Sequence, residues 1–294
     1  MRKSSLIAAL LAVSANLFAQ SLPQAGIPVD AKTAAMASTN VSTQADGLVH
    51  WNNIAAVANG ESRFGAAVSY GSWLPAMEAS NPIAASGFAQ IGDKFGISAG
   101  FRSISGSDVP LFDEYGNPSG NAGNGYMSVG LGAAYQFLPG LSVGFTADYH
   151  NSRLTEETGM STIGIGIGGQ YKLNDLLIGI KVSDLGGAGL PTASSFGASY
   201  KLDLAEGHSL EVRAQASVLL ASGGFNAGVA AQYTALDMIS LRAGYYIGDA
   251  EAFIPSHLSL GAGIKFAGIG IDAAYLMFPS ELGNSLCITL KYIL

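Results

Sequence analysis

The feature that most constrains this sequence is a period-two alternation of apolar and polar residues, which begins near Ser62 and continues to the C-terminus. It runs in segments of roughly 9 to 12 residues, separated by clusters of Gly, Pro, Asn and Asp. Alternate residues of a strand point to opposite faces. The clearest segment has Leu210, Val212, Ala214, Ala216 and Val218 on one face and Glu211, Arg213, Gln215 and Ser217 on the other.

The composition indicates that the apolar faces meet lipid. Only 12% of the 294 residues are charged, about half the usual proportion in soluble domains, and the mean hydropathy is +0.32. Beyond the N-terminus, no apolar run reaches the roughly 18 residues of a membrane-spanning helix. Since only helices and closed barrels pair all their backbone groups in lipid, the sequence predicts an all-β fold, a transmembrane antiparallel β-barrel.

The N-terminus has the features of a signal peptide. Arg2 and Lys3 precede a short apolar stretch from Leu6 to Val13, and Ala19 is a small residue suited to cleavage. We therefore assign residues 1–19 to a signal peptide, which places the protein in the outer membrane of a Gram-negative bacterium. Removing it leaves 12 basic and 21 acidic residues, and this acidic balance argues against a nucleic-acid partner.

The alternation predicts about fourteen strands in residues 61–294, an even number that suits antiparallel closure. The predicted strands are Arg63 to Tyr70, Ile83 to Gln90, Phe95 to Ile104, Tyr126 to Phe137, Leu141 to Asn151, Thr162 to Leu173, Leu176 to Ser183, Ser195 to Leu202, Ser209 to Leu219, Phe225 to Leu236, Ile239 to Ile247, His257 to Phe266, Ile269 to Phe278 and Ser285 to Ile293.

The lengths of the connections predict how the barrel is oriented. Bacterial barrels have short periplasmic turns and longer external loops. The short connections all follow even-numbered strands: Leu138-Pro139-Gly140, Asn174-Asp175, Leu236-Asp237 and Ala267-Gly268. This arrangement places both termini on the periplasmic side.

Residues 20–60 lack the alternation and have no lipid-facing stripe. A barrel of about fourteen strands is too wide for its own side chains to fill. We therefore expect this segment to form a plug inside the barrel, and the alternative is a flexible periplasmic extension.

The N-terminal part also carries a family resemblance. The stretches Ala34-Ala35-Met36-Ala37, Val41-Ser42, Ala45-Asp46 and Trp51-Asn52-Asn53-Ile54-Ala55 resemble those of the PorV/PorQ group of Bacteroidetes outer-membrane proteins, within the wider FadL-like family of fourteen-stranded barrels. Asn53 and Ile54 replace the usual Pro and Ala of the family turn. The plug motif that the resemblance marks is Ala45, Asp46, Trp51, Asn52 and Asn53.

The resemblance implies two alternative functions for a plugged barrel set in outer-membrane lipid. PorV-like relatives support type IX protein secretion as docking or scaffold components, so secretion components or secreted cargo would be partners. FadL-like relatives are channels for small hydrophobic or amphipathic molecules. The first is our main interpretation of the sequence, and the second is its alternative.

The strand parity predicts a basic inner wall. Nine basic residues fall on the inward positions: Arg63, Arg102, Lys172, Lys181, Lys201, Arg213, Arg242, Lys265 and Lys291. This lumen basic lining would hold the plug through Asp30 and Asp46, or receive an anionic ligand such as a carboxylate. The simpler explanation is that any barrel places its charges inside, because Lys or Arg facing lipid costs roughly 2 to 4 kcal/mol.

Glycines on the inward positions give a second prediction about the lumen. Gly164, Gly166 and Gly168 match a nucleotide-binding spacing, but they lie within a strand and no helix follows them. We interpret them, with Gly130 and Gly132 on another strand, as places where the plug backbone comes close to the wall.

Residues with catalytic or metal-binding chemistry are sparse. Asp148 and His150 share the inward face of one strand, but no nucleophile motif accompanies them. The chain has one Cys and four scattered His, which disfavours a metal site. We expect no enzymatic activity, catalytic residue, cofactor or metal.

Overall fold

The computed structural model describes residues 22–74, 80–106, 109–113, 115–155, 159–249 and 254–294. The predicted signal peptide, residues 1–19, lies outside them. Among the described residues, no helix combines the length and the apolar character needed to cross a membrane.

Fifteen strands follow one another in the described part of the chain. They are β1 (Phe64–Ser72), β2 (Asn81–Ile91), β3 (Phe95–Ser105), β4 (Val109–Phe112), β5 (Pro118–Leu138), β6 (Leu141–Thr155), β7 (Gly159–Leu173), β8 (Leu176–Leu185), β9 (Ala193–Ala205), β10 (His208–Leu219), β11 (Phe225–Ala235), β12 (Ile239–Gly248), β13 (His257–Phe266), β14 (Ile269–Met277) and β15 (Ser285–Ile293).

Fourteen of these strands form a closed antiparallel barrel. Each pairs with its neighbours along the chain, β1 pairs with β15 to close the ring, and β3 pairs directly with β5. The short β4 stands outside the ring and pairs with the first part of β5. The predicted fold class and all fourteen predicted strands are confirmed, because period-two patterning is strong wherever one face meets lipid.

Strand β4 and the first eight residues of β5, before Tyr126, were not predicted. The sequence there, Pro118-Ser-Gly-Asn-Ala-Gly-Asn-Gly, contains no large apolar residue and so carries no alternation. A hairpin that does not face lipid needs none, because water can solvate both of its faces.

The outward face of the wall is apolar, as the alternation requires. Along β15, Leu286, Ile288 and Leu290 are 45–48% exposed, whereas Cys287 and Thr289 are only 6% and 1% exposed. In a bilayer the first set contacts lipid and the second set faces the lumen.

The two ends of the barrel differ. At one end, which we call the turn end, strands are joined by two or three residues, as in the Ala267-Gly268 turn with φ of 50° and 82°. Positive φ at both positions is typical of the type I′ turn, which matches the twist of paired strands. The other end, the loop end, carries the longer connections. Leu294 lies at the turn end, where its carbonyl accepts a hydrogen bond from the Arg63 N–H at 2.8 Å.

The described part of the N-terminal segment, residues 22–60, lies inside the barrel and is called the plug below. It contains a 3-10 turn (Pro23–Gly26) and two short helices, α1 (Ala31–Ala35) and α2 (Ala55–Asn59). Asp30 begins α1 by accepting hydrogen bonds from the N–H groups of Lys32 and Thr33. Neither helix could persist alone at five residues, so packing against the wall must hold them.

The plug packs against the inner wall in separate apolar clusters. Helix α1 contributes Ala31, Ala34 and Ala35 to a cluster that includes Tyr246 and Leu276 of the wall. A second cluster joins the Ile54 to Ala58 region of the plug to wall side chains of β2 and β5. The plug side chains are mostly small, so the backbone itself comes close to the strands.

Inward glycines of the wall make this close approach possible. A Cβ atom at Gly132 would meet Ile54, one at Gly168 would meet Asn53, and one at Gly130 would meet His50. At these three glycines the plug comes close through side chains, whereas its backbone approaches the wall at Gly144, Gly179 and Gly228. Gly164 and Gly166 differ, because their inner faces meet Leu190 and Thr146 of the wall and loops.

Gly179 gives a test of this packing. A Cβ there would overlap the carbonyl of Val41, and backbone atoms cannot rotate away. We expect Gly179→Ala to weaken plug docking by about 1 to 3 kcal/mol, seen as faster hydrogen exchange in residues 22–60. Gly87→Ala is the control, because its Cβ would lie 3.4 Å from the Gly65 carbonyl oxygen, an ordinary contact. Equal exchange in the two variants would contradict the model of glycine-dependent packing.

Candidate functional site

The plug backbone is held by side chains of the wall. Backbone groups buried without regular secondary structure need other partners. The Gln215 side-chain oxygen accepts hydrogen bonds from the N–H groups of Asn40 and Val41, at 2.8 and 3.0 Å. The Gln170 amide donates to the carbonyls of Val41 and Thr43, both at 2.9 Å. Two wall glutamines thus replace the pairing that a strand would supply.

Hydroxyl groups do the same around the rest of the ring. Ser142 donates to the Ala55 carbonyl at 2.7 Å, and Ser259 donates to the Ala35 carbonyl at 3.0 Å. The Thr289 hydroxyl accepts from the Ala31 N–H at 2.9 Å. These partners lie on β6, β13 and β15, so the plug is anchored on several sides.

The predicted motif residues lie in the plug interior. Asn53 donates to the Val41 carbonyl at 2.8 Å and accepts from the Ala55 N–H at 3.2 Å, which starts α2. Asn52 donates to a carboxylate oxygen of Asp30 at 3.3 Å. Both asparagines are almost fully buried. Asn53 therefore fixes the local turn with side-chain hydrogen bonds, at the position where the family resemblance would place proline.

The motif residues Ala45 and Asp46 sit on the same side of the plug. Ala45 packs in the cluster with Val49 and Ile54. Asp46 accepts from the Leu48 N–H at 3.2 Å, and burial together with the Asp30 carboxylate raises its pKa. Among the described residues, its second carboxylate oxygen has no hydrogen-bond partner.

Three residues of the basic lining contact plug carbonyl groups directly. Arg102 donates to the Ala25 carbonyl at 2.7 Å, and Lys181 donates to the Trp51 carbonyl at 3.1 Å. Arg213 donates more weakly to the Thr39 carbonyl at 3.3 Å. The hypothesis from sequence had these cations hold Asp30 and Asp46, whereas their direct plug contacts in the described residues go to carbonyl oxygens and, from Arg213, to the Thr43 hydroxyl at 3.3 Å.

Two further basic residues of the lining are paired within the wall. Arg242 and Lys291 both bind Asp272, at 2.7 and 2.5 Å, and all three side chains are at least mostly buried. Arg213 also pairs with Glu211 at 2.8 Å. This side of the lumen is therefore close to charge balance.

The remaining four predicted lining residues lie near the turn end and are exposed to varying degrees. Arg63 faces Asp93 at 3.8 Å, Lys172 pairs with Glu61 at 3.2 Å, and Lys201 pairs with Asp203 at 3.1 Å. The fourth residue, Lys265, is exposed. Exposed pairs of this kind contribute little to stability, so the structure separates these four from the buried five.

Histidine and carboxylate side chains meet where the plug reaches β3 and β6. His50 of the plug contacts Ser98 at 2.7 Å through Nδ1 and Asp148 at 2.8 Å through Nε2. His150 contacts Tyr126 at 2.7 Å. Strand parity correctly placed Asp148 and His150 inward, but the partner of Asp148 is His50, which is 98 residues away in sequence and beyond the reach of any periodicity.

The Ser98, His50 and Asp148 side chains lie in the order hydroxyl, imidazole and carboxylate. That order occurs in hydrolases, where the hydroxyl must reach a substrate carbonyl. Here Ser98 is only 5% exposed between wall and plug. The contacts therefore anchor the plug to β3 and β6.

A cavity of about 180 Å³ lies between the plug and the wall, toward the loop end. Its lining includes the apolar plug residues Ile27, Pro28 and Val29. Its polar lining includes Lys181, Ser183, Asp184, Ser195, Gln215 and Ser217 of strands β8 to β10. The cavity is thus amphipathic.

Trp51 lies where the basic lining meets this cavity. The Arg102 guanidinium stacks over its ring with the central carbon 4.6 Å from the ring centroid. His50 meets the same ring edge-on at 4.7 Å. Sequence reasoning named Trp51 for the plug motif and Arg102 for the lining, and the structure brings the two together.

Comparisons with known proteins identify a fold. No protein-family model and no curated protein matches the chain. The Ralstonia pickettii toluene transporter TbuX aligns over 90% of this chain and 98% of its own, with 13% identity and a TM-score of 0.61. The Pseudomonas putida toluene transporter TodX aligns over 89% and 95%, with 13% identity and a TM-score of 0.58.

A Pseudomonas aeruginosa FadL homologue aligns over 90% of this chain and 98% of its own, with 12% identity and a TM-score of 0.55. At such low identities the likeness shows the fold alone. The chain therefore has the architecture of FadL-like outer-membrane barrels.

The charge of Lys32 in the plug gives a pH test. Burial, together with the nearby Arg213 charge, lowers the Lys32 pKa from its ordinary 10.5 to about 8. Between these two pH values the undocked plug binds more protons than the docked plug, so docking strengthens as pH rises. Below pH 8 both forms are charged and the burial penalty is complete.

We expect Lys32→Met to stabilise plug docking at pH 7 and to remove the increase in docking stability between pH 8 and 10.5. A urea titration in a Trp73→Phe background measures this, because Trp51 is then the one tryptophan of the chain. If docking stability changes with pH in the same way with Lys32 and with Lys32→Met, both in the Trp73→Phe background, Lys32 does not titrate in this range.

Proposed function

We propose that the protein is an outer-membrane channel for small hydrophobic or amphipathic molecules, with the plug as its gate. The single observation that carries this proposal is the amphipathic cavity between plug and wall. A purely structural plug would have no need of a space that exposes both apolar and charged groups. The FadL-like architecture, shared with proteins described as toluene transporters, supports it.

The way in which the plug is held also supports a gate. Its contacts are individual hydrogen bonds from wall side chains and small apolar clusters. Each such hydrogen bond contributes about 1 kcal/mol in net terms. A limited shift of part of the plug would break a few of them and leave the closed wall unchanged.

Two further parts of the proposal concern orientation and the basic lining. The turn end, where Leu294 lies, faces the periplasm, because short turns are periplasmic in barrels of this kind. The sequence prediction that both termini lie there does not suit the plug, because the N–H of Leu22, its first described residue, donates to the Gly189 carbonyl at 3.0 Å in the β8–β9 connection of the loop end. Of the basic lining, Arg102, Lys181 and Arg213 hold the plug in its closed position through hydrogen bonds to its carbonyl groups.

The role in type IX secretion, our main interpretation of the sequence, stays a prediction that none of the comparisons supports.

A disulfide between plug and wall tests the gate. A Cβ at Gly96 would lie 2.9 Å from the Val57 Cβ of α2, so a shift of roughly 1 Å brings the pair into disulfide range. In a Cys287→Ala background, we expect the oxidised Val57→Cys/Gly96→Cys protein to reduce uptake of radiolabelled cresol by host Gram-negative cells about tenfold, with recovery after reduction.

The matched control is the pair Ala66→Cys and Gly87→Cys on the lipid-facing wall, where the Cβ atoms would lie 3.8 Å apart. This disulfide joins β1 to β2 without touching the plug, and uptake should not change on oxidation. If the oxidised plug–wall pair admits cresol at the rate of its reduced form, the plug is not the gate.

A further inference from the structure

The donors around Trp51 are not all used by the protein. The terminal nitrogens of Arg102 bind the Ala25 carbonyl and the Tyr126 hydroxyl. Among the described residues, its Nε and the Trp51 indole nitrogen are buried without any hydrogen-bond partner. Buried donors without an acceptor are costly. Arg102 itself is only 6% exposed, yet it lines the cavity with Trp51.

Lys181 adds a second cation to the same place. Its ammonium group donates to the Trp51 carbonyl at 3.1 Å, which leaves donor capacity because an ammonium has three N–H bonds. In the part of the chain that the structure describes, neither Lys181 nor Arg102 forms an ion pair within 4.0 Å. Three side chains with spare N–H donors therefore meet at Trp51: Arg102 over its ring, Lys181 at its carbonyl, and its own indole.

The carboxylates that line this cavity already face imidazoles. Asp148 lies 2.8 Å from His50, and Asp184 lies 3.5 Å from His150. Asp148 is hydrogen-bonded to His50, whereas His150 Nε2 has no hydrogen-bond partner among the described residues and so does not bind Asp184. Arg102 and Lys181 have carbonyl and phenol partners, and an acceptor that carries negative charge would complete the site.

The cavity volume restricts the rest of the ligand. A dry cavity of about 150 Å³ in another protein holds benzene, and this one measures about 180 Å³. It therefore has room for one ring and one small polar group. Ile27, Pro28 and Val29 provide the apolar surface for the ring.

We propose that this cavity binds small monoaromatic carboxylates. The carboxylate accepts hydrogen bonds from Arg102, Lys181 and the Trp51 indole, and the ring packs against Ile27 to Val29 of the plug. This inference rests on the proposed channel function and names its substrate class. The ligand would thereby contact the plug and, at the same time, Arg102 and Lys181, which hold the plug.

Equilibrium binding to the purified mature protein in detergent tests the site. The probe is para-fluorobenzoate, followed by fluorine NMR with protein-free micelles as the blank, and para-fluorobenzamide is its uncharged counterpart. Because hydrogen bonds to an ionised acceptor are roughly twice as strong as those to a neutral one, we expect the carboxylate to bind at least about tenfold more tightly. Equal affinity for the two probes would overturn the proposal.

Two lysine variants separate the site from general charge effects. Lys181→Gln should weaken benzoate binding about tenfold. Lys265→Gln removes the same charge from an exposed position of the wall and should change nothing. Equal losses in both variants would overturn the assignment of Lys181.

A third variant changes affinity in the opposite direction, which misfolding cannot imitate. Asp184 has a φ of 58°, a conformation that asparagine tolerates. Asp184→Asn removes a negative charge from the cavity and should tighten benzoate binding several-fold, without effect on the benzamide. Unchanged or weaker benzoate binding would contradict the site.

The binding experiment is independent of the cresol uptake experiment. Selective benzoate binding without gated uptake would support the site and reject the channel. Gated cresol uptake with equal benzoate and benzamide affinity would support the channel and reject the carboxylate site.

Discussion

Backbone hydrogen bonding is the constraint on which this structure depends. In lipid the wall must pair every N–H and C=O group internally, and closing fourteen strands achieves this. Closure at that width leaves a lumen, and the segment that fills it has only two five-residue helices. Its backbone groups face the same requirement. The inner wall meets it with Gln170, Gln215 and hydroxyl groups.

The inner wall therefore does two things that a soluble core does not. At glycine positions such as Gly179 and Gly228 it lets the plug backbone approach, and at polar positions it supplies the hydrogen bonds. Both depend on a close fit, since a single added Cβ would keep the plug backbone away from the wall. Charge also affects how the plug is held, because Lys32 and Asp46 of the plug are buried beside the basic lining and their pKa values are shifted. A plug held in this way is specific in position without being permanently fixed.

The wall could be predicted from the sequence, and most of the site could not. Alternation gave every strand of the ring, because lipid imposes the period on each of them. It also placed Arg102, Lys181 and Asp148 on the inner face. It could not assign their partners, since His50, Ala25 and Trp51 come from a segment without periodicity. The β4 hairpin was missed because the four residues of β4, Val109-Pro-Leu-Phe, are too few to show alternation and the start of β5 is rich in Gly and Asn.

Fold and ligand are decided by different residues in this protein. The TbuX structure covers 90% of the chain at 13% identity, so the path of the wall persists while nearly all side chains differ. Shared architecture therefore explains a plugged barrel and cannot specify what enters it. The ligand is specified by the few side chains that face the cavity. Arg102 and Lys181 both hold the plug and have donors to spare, so in the proposed channel the groups that recognise an anion are the same groups that keep the plug in place.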